Sequence, residues 1–109
     1  MKITIENNSI KFRLTDKDIS KLVKKGKVTQ ECNFGPSSSF KYTVKANKKA
    51  NSKNLYIDLS PNHIKIEINP KDVKSWKKGD LIGYDAEMDN GTKSSLYVLL
   101  EKDLKKKKK

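Results

Sequence analysis

The side chains in this sequence that could do chemistry are few. The chain has one histidine, one cysteine and one tryptophan, at His63, Cys32 and Trp76. A single cysteine excludes an intramolecular disulfide and a metal site made of several cysteines. Cys32 and Trp76 fall at apolar positions and are predicted to pack in the core. His63 follows Pro61-Asn62 in a predicted turn, where a solvated role is expected. The sequence therefore predicts no cofactor and no metal site.

Two carboxylates occupy corresponding places in the two halves of the chain. Glu31 and Asp85 are 54 residues apart, and paired carboxylates can serve as an acid and a base or bind a cation. The strand pattern places both away from the apolar face, where they would balance lysines. An enzyme that used them would need both in one cleft, so we predict no catalytic residue and expect that the protein is not an enzyme.

Lysines make up the most extensive charged pattern. Four lie in each of two predicted short helices, and side-by-side helices would join all eight into one positive patch able to bind a polyanion. Nucleic-acid binders often add aromatic side chains that stack on bases, but the aromatic residues near the strands are predicted to face the core. A solvated basic surface is therefore the preferred interpretation, and polyanion binding through this patch is the alternative. The eight candidate residues are Lys17, Lys21, Lys24, Lys25, Lys71, Lys74, Lys77 and Lys78.

Composition limits the class of protein. The chain has 109 residues, 34% of them apolar, and a net charge of +12. The run Lys105 to Lys109 supplies five of these charges and is predicted to be a disordered tail, which leaves +7 for residues 1–104. No apolar stretch approaches the roughly 18 residues of a membrane span, and the start lacks a secretory signal pattern. We therefore expect a basic cytoplasmic protein.

The spacing of the apolar residues predicts the strands and helices that must position these side chains. Lys2 to Glu6 alternates as a strand, Asn7-Asn8 forms a turn, and a second strand ends at Leu14. Thr15 is a predicted helix N-cap, and Gly26 supplies a left-handed C-cap. Two more alternating strands follow, joined by a turn at 35–39.

The same order of elements returns after a polar linker at 46–54. Strands are predicted over 56–60 and 64–68, a helix begins at Pro70 after the cap Asn69, and Gly79 ends it. Two strands, 82–88 and 96–100, complete the second unit. The apolar positions match the first unit at a spacing of 54 residues, which indicates an internal duplication.

These patterns predict an α+β fold of two duplicated β-β-α-β-β units related by pseudo-twofold symmetry. The strands are expected to be mainly antiparallel. They form a partly closed barrel or two facing sheets with two short helices, and one bent sheet wrapped around both helices is the alternative. We expect a single domain over residues 1–104, made of repeats at 2–45 and 55–101.

Three segments resemble a family of small uncharacterised bacterial proteins. They are KITIENNSIKFRLT at the start, CNFGPSSSFKY at Cys32 to Tyr42, and LLEKD at Leu99 to Asp103. The resemblance spans most of the chain, but it implies no activity, because the family has none assigned. Where relatives continue with an aromatic residue and a longer tail, this chain has Leu104 and lysines.

Taken together, the sequence predicts a small cytosolic binding or accessory domain without catalytic activity. Nonspecific nucleic-acid binding through the basic helices and the lysine tail is the competing hypothesis. The partner is unknown, and the oligomeric state is left open between a monomer and a homodimer.

Overall fold

The computed structural model of the chain describes residues 1–51, 53, 55–79 and 83–103. The lysine tail at 105–109, Leu104 and Ile82 lie outside these described residues. The element order β-β-α-β-β occurs twice along the chain. The elements are β1 Lys2–Glu6, β2 Ser9–Leu14, α1 Asp16–Lys25, β3 Lys27–Gly35, β4 Ser38–Ala46, β5 Ile57–Ser60, β6 His63–Ile68, α2 Pro70–Lys78, β7 Gly83–Met88 and β8 Leu96–Lys102.

The strands form two separate four-stranded sheets, and neither closes into a barrel. One sheet has the order β1-β2-β8-β7 and the other β3-β4-β6-β5. Each sheet therefore takes one hairpin from the first unit and one from the second. The α+β fold with duplicated units is confirmed, and of the two predicted arrangements it is the pair of sheets that forms.

The hairpins of the two units meet through parallel inner strands. β2 pairs with β8 in parallel, with Phe12 opposite Leu100, and β4 pairs with β6 in parallel, with Val44 opposite Ile66. The four hairpin pairings are antiparallel. Both sheets are thus mixed, because the pairs within the hairpins are antiparallel and the pair that joins two hairpins is parallel.

Helix α1 begins and ends where its sequence signals predict. Thr15 is the N-cap of a capping box, in which its hydroxyl accepts from the Asp18 amide and the Asp18 carboxylate accepts from the Thr15 amide. Gly26 ends the helix at φ 80°, and its amide donates to the Leu22 carbonyl. The left-handed conformation carries no steric penalty for glycine, so the chain can turn directly into β3.

Helix α2 begins in the predicted way but ends differently. The Asn69 side chain accepts from the Lys71 amide, and Pro70 occupies the first turn. Gly79 is the C-cap but has φ −104° and ψ −165°, so it is extended rather than left-handed. Both helices therefore start with a side-chain N-cap, but they differ in the conformation of the glycine at their ends.

The core is built mainly from the alternating apolar positions of the inner strands and one side of each helix, with a few residues from or beside the edge strands. Trp76 is fully buried, as the sequence predicts, and its ring meets Tyr84 edge-on at 6.0 Å between centroids. The pseudo-equivalent position in α1, Leu22, is also buried. The other buried apolar residues are Ile10, Phe12, Leu14, Ile19, Val28, Val44, Leu55, Ile57, Ile64, Ile66, Ile68, Val73, Val98 and Leu100.

Two predicted core residues in β3 are exposed. Cys32 is an exposed free thiol, and Phe34 is 71% exposed. Both alternate with the buried Val28, but β3 and β4 have nine residues each while β5 has four and β6 six. The tip of the β3–β4 hairpin therefore extends beyond the part of the sheet that the core covers.

Three smaller predictions are also corrected. Ile5 and Leu59, assigned to apolar faces, are 63% and 69% exposed because both lie on edge strands near a hairpin tip. His63 is not a free turn residue. It begins β6, is half-buried, and its Nε2 lies 2.9 Å from the Thr43 hydroxyl, which also contacts Thr29.

Candidate polyanion-binding face

The two helices pack against each other and present their lysines to solvent. In α1 the buried side consists of Ile19, Leu22 and the capping Asp18, and in α2 it consists of Val73 and Trp76. Because these residues occupy one side of each helix, the lysines fall on the remaining surface. All eight predicted lysines are exposed. We call this surface, together with residues 47–51 and 53, the two-helix face.

A groove lies between the end of α1 and the start of α2. It has a volume of about 340 Å³. Three of the predicted lysines line it, namely Lys24, Lys25 and Lys74, so the structure brings residues from the two units to one place. The other lining residues are Leu22, Val23, Gly26, Ala46, Pro70 and Val73. The groove thus combines buried apolar residues, Leu22 and Val73, with exposed lysines, a combination that suits an anion that carries apolar or sugar groups.

A second groove adjoins the first at Pro70. It has a volume of about 320 Å³ and is lined by Lys48, Asn69, Pro70 and Lys71. The Asn69 side-chain amide donates to the carbonyls of Lys48 and Ala50, both at 3.1 Å, which holds the 47–51 segment against the start of α2.

Lys48 is a residue that the sequence analysis missed. The 46–54 segment has no apolar period, a pattern that predicts only a linker. Its lysines, Lys48, Lys49 and Lys53, could have been weighed with those of the helices.

The remaining four predicted lysines are on the same helices but line neither groove. Lys17, Lys21, Lys77 and Lys78 are exposed. Among the described residues, none of the eight takes part in an ion pair. Their charge is thus available to a ligand.

Charge is distributed unequally between the helices and the strands. Residues 15–26, 47–53 and 69–79 contain eleven lysines and three aspartates, a net charge of +8. The rest of residues 1–104 carries a net charge of −1. The positive charge of residues 1–104 therefore resides on the two-helix face.

The carboxylate of one aspartate in this region, Asp18, already binds other groups of the chain. The Asp18 carboxylate lies 2.8 Å from the N-terminal ammonium and accepts from the Thr15 amide and hydroxyl, both at 3.0 Å. Burial raises the pKa of the Asp18 carboxyl, but the hydrogen bonds with the ammonium and with Thr15 outweigh it and hold the pKa below its usual range. Asp18 is thus a structural carboxylate.

The two carboxylates considered for catalysis lie in different sheets. Glu31 is exposed on β3, whereas Asp85 is exposed on β7, where it accepts a hydrogen bond of 2.8 Å from the Tyr97 hydroxyl. That hydrogen bond raises the pKa of Tyr97, with a further contribution from burial. Within the described ranges, no group of three or more histidine, cysteine or acidic residues could hold a metal ion.

In the part of the chain that the structure describes, no helix is both long and apolar enough to span a membrane.

Comparison with known proteins places the chain in a family. A family model, described as a family of unknown function, DUF7009, matches residues 1–108. The chain belongs to this family. No curated protein and no solved structure matches the chain. The match agrees with the resemblance to an uncharacterised family and carries no activity with it.

Proposed function

We propose that this protein is a binding domain without catalysis of its own, which binds polyanions, in the first place nucleic acid, through the two-helix face. We also propose that the protein acts in the cytoplasm. The observation that carries it is the separation of charge, with +8 on the two-helix face and −1 on the rest of residues 1–104. A protein that needed charge only for solubility would have no reason to collect it on one surface.

The arrangement of the lysines favours binding to several phosphates at once. Lys24, Lys25 and Lys74 line one groove, and Lys48 and Lys71 line the groove next to it. A phosphate backbone that crosses both grooves would meet cations from α1, from α2 and from the 47–51 segment. Each phosphate that a lysine neutralises releases condensed counterions, which is the main source of nonspecific affinity.

The exposed aromatic residues indicate how such binding would work. Phe34 and Tyr56 are 71% and 62% exposed, but they lie on or beside strands rather than on the helices. Base stacking on the two-helix face is therefore not expected, and phosphate contacts should dominate. The proposed binding depends on salt and hardly on base sequence.

The test is a fluorescence anisotropy titration of labelled duplex DNA over a series of salt concentrations. The full chain is compared with a chain lacking residues 105–109, which separates the two-helix face from the lysine tail. In the shortened chain, the groove variant Lys24→Gln, Lys25→Gln, Lys74→Gln is compared with Lys11→Gln, Lys41→Gln, Lys93→Gln. Both variants lose three positive charges, but the control loses them from strands and a loop.

We expect the groove variant to flatten the slope of log K against log salt by about 0.9 for each phosphate that is no longer neutralised, up to about 2.7 for three phosphates. The control should change the slope by clearly less. Equal changes in the two variants would mean that only overall charge matters. Loss of all binding with residues 105–109 would assign binding to the tail. Either result contradicts the proposal.

A further inference from the structure

Strand β3 is a long edge with no partner on its outer side among the described residues. It lies at one end of its sheet, and eight of its nine residues are exposed. We propose that the protein forms a homodimer in which β3 pairs antiparallel with β3 of a second copy. The two copies would share one continuous sheet, and Lys27 of each would face Glu31 of the other.

Every second residue of β3 points its backbone amide and carbonyl away from β4, toward the open edge. The Ala46 amide donates to the carbonyl of Gly26, the residue directly opposite, at 2.9 Å. Antiparallel ladders alternate, so Val28, opposite Val44, also bonds to β4, and the amides and carbonyls of Lys27, Thr29 and Glu31 point outward. These are the groups that a second strand would pair with.

Twofold symmetry restricts the register of such a pair. In a symmetric antiparallel pair, the same face of the sheet lies on the same side in both copies. One residue at the centre therefore lies opposite the same residue of the second copy. A centre at Thr29 sets Lys27 opposite Glu31 twice, and all three residues then form hydrogen-bonded pairs, with about six backbone bonds in all. A centre at Glu31 sets two carboxylates opposite each other, which is unfavourable. A centre at Gln30 sets each charged residue opposite an uncharged one.

The surroundings of Lys27 also favour the pairing centred at Thr29. Within one copy Lys27 lies opposite Lys45 on β4, a pair of like charges, whereas Glu31 lies opposite Lys41. Among the described residues, neither Lys27 nor Glu31 takes part in an ion pair. Glu31 of a second copy would supply the missing anion. The register irregularity between Asn33 and Gly35 ends the regular edge and limits pairing to the segment before it.

The other open edges fit a second copy less well. The exposed residues of β7 include Asp85 and Glu87, which would repel their copies. Strand β5 has only four residues.

Strand β1 repeats the Lys-x-Thr-x-Glu spacing of β3 and is the closest competitor. The two-residue turn Asn7-Asn8 makes Glu6 and Ser9 a hydrogen-bonded pair. Because such pairs alternate along the strands, the backbone amides and carbonyls of Ile3 and Ile5 point outward. The same symmetric pairing would then form about four bonds rather than six.

The experiment is sedimentation equilibrium of the full chain without nucleic acid, over a wide range of protein concentration. A reductant is present, so that a disulfide between exposed Cys32 thiols does not contribute. Lys27→Glu, Glu31→Lys and the double variant are compared with Lys2→Glu, the matched change on β1. Circular dichroism checks that each variant is folded, which these exposed positions should permit.

The wild type should be a reversible dimer. Each single reversal turns two attractive pairs into two repulsive ones and should raise the dissociation constant by about tenfold. The double variant restores opposite charges across the interface and should return to near the wild-type value, while Lys2→Glu should leave it unchanged. A wild type that stays monomeric, single reversals without effect, or an effect of Lys2→Glu alone would overturn the proposal. None of these outcomes depends on whether the two-helix face binds nucleic acid.

Discussion

Trp76 connects helix α2 to the core, and its removal should be among the most damaging single changes. Its side chain is fully buried and meets Tyr84 edge-on, and the Tyr84 hydroxyl donates to the Asp72 carbonyl at 2.9 Å. Trp76→Ala would therefore remove the main apolar contact of α2 and the ring that positions Tyr84. The two-helix face depends on this contact, since Lys74 and Lys71 lie on the same helix.

The expected magnitude follows from the buried area. A large aromatic side chain buries about 150–250 Å², which at about 25 cal/mol per Å² corresponds to roughly 4–6 kcal/mol. Aromatic-to-alanine changes in cores cost about 3–5 kcal/mol. We expect a loss of about 4 kcal/mol, out of a total stability that for most domains is about 5–15 kcal/mol. Leu22→Ala, at the pseudo-equivalent position in α1, should cost about 2–5 kcal/mol.

Urea denaturation followed by circular dichroism measures these losses. Lys77→Ala on the exposed side of α2 is the control and should change the free energy of unfolding by less than about 0.5 kcal/mol. The comparison requires an unchanged m-value, which indicates that the same surface is exposed on unfolding. A loss below about 1 kcal/mol for Trp76→Ala would refute the assignment of Trp76 to the core.

Three further predictions concern caps and close approaches. Asp18→Asn should destabilise the protein at neutral pH, and because the folded-state pKa of Asp18 is lowered, the difference from wild type should shrink as the pH falls through that pKa, as thermal unfolding across a pH series would show. Gly26→Ala should cost about 1 kcal/mol in urea denaturation, because φ is +80° although no atom lies within 4 Å of the added Cβ. Gly83→Ala should cost about 1–3 kcal/mol or more by the same assay, because the new Cβ would collide with the Leu100 carbonyl oxygen and stand 2.7 Å from the Glu101 Cα. Gly35→Ala, with open space and no positive φ, is the control, and an equal loss at Gly35 would contradict the steric argument.

Local sequence signals predicted the elements of this fold closely. β1 and the start of α2 at Pro70 agree with the sequence-based expectations, and so do the caps at Thr15 and Gly26. These features depend on neighbouring residues only: alternation for a strand, a side chain that accepts from an amide for an N-cap, a left-handed glycine for a C-cap. The duplication was visible for the same reason, since both units repeat the same local signals.

The candidate site was predicted only in part. The lysines were visible on both helices, but whether they would meet depended on how the helices pack. Lys24, Lys25 and Lys74 line one groove because the end of α1 lies beside the start of α2. Lys48 was missed because hydrogen bonds from Asn69, 21 residues further along the chain, hold its segment there.

What the sequence by itself determined is the set of elements, their order and the buried side of each helix. The tertiary structure decided that each unit divides its hairpins between two sheets and joins them through the parallel pairs β2–β8 and β4–β6. Pairing between distant strands leaves no local signal, because any apolar face can be buried against several partners. The same cause explains Cys32 and Phe34, whose alternation predicts burial, while only the length of the neighbouring strands leaves them exposed.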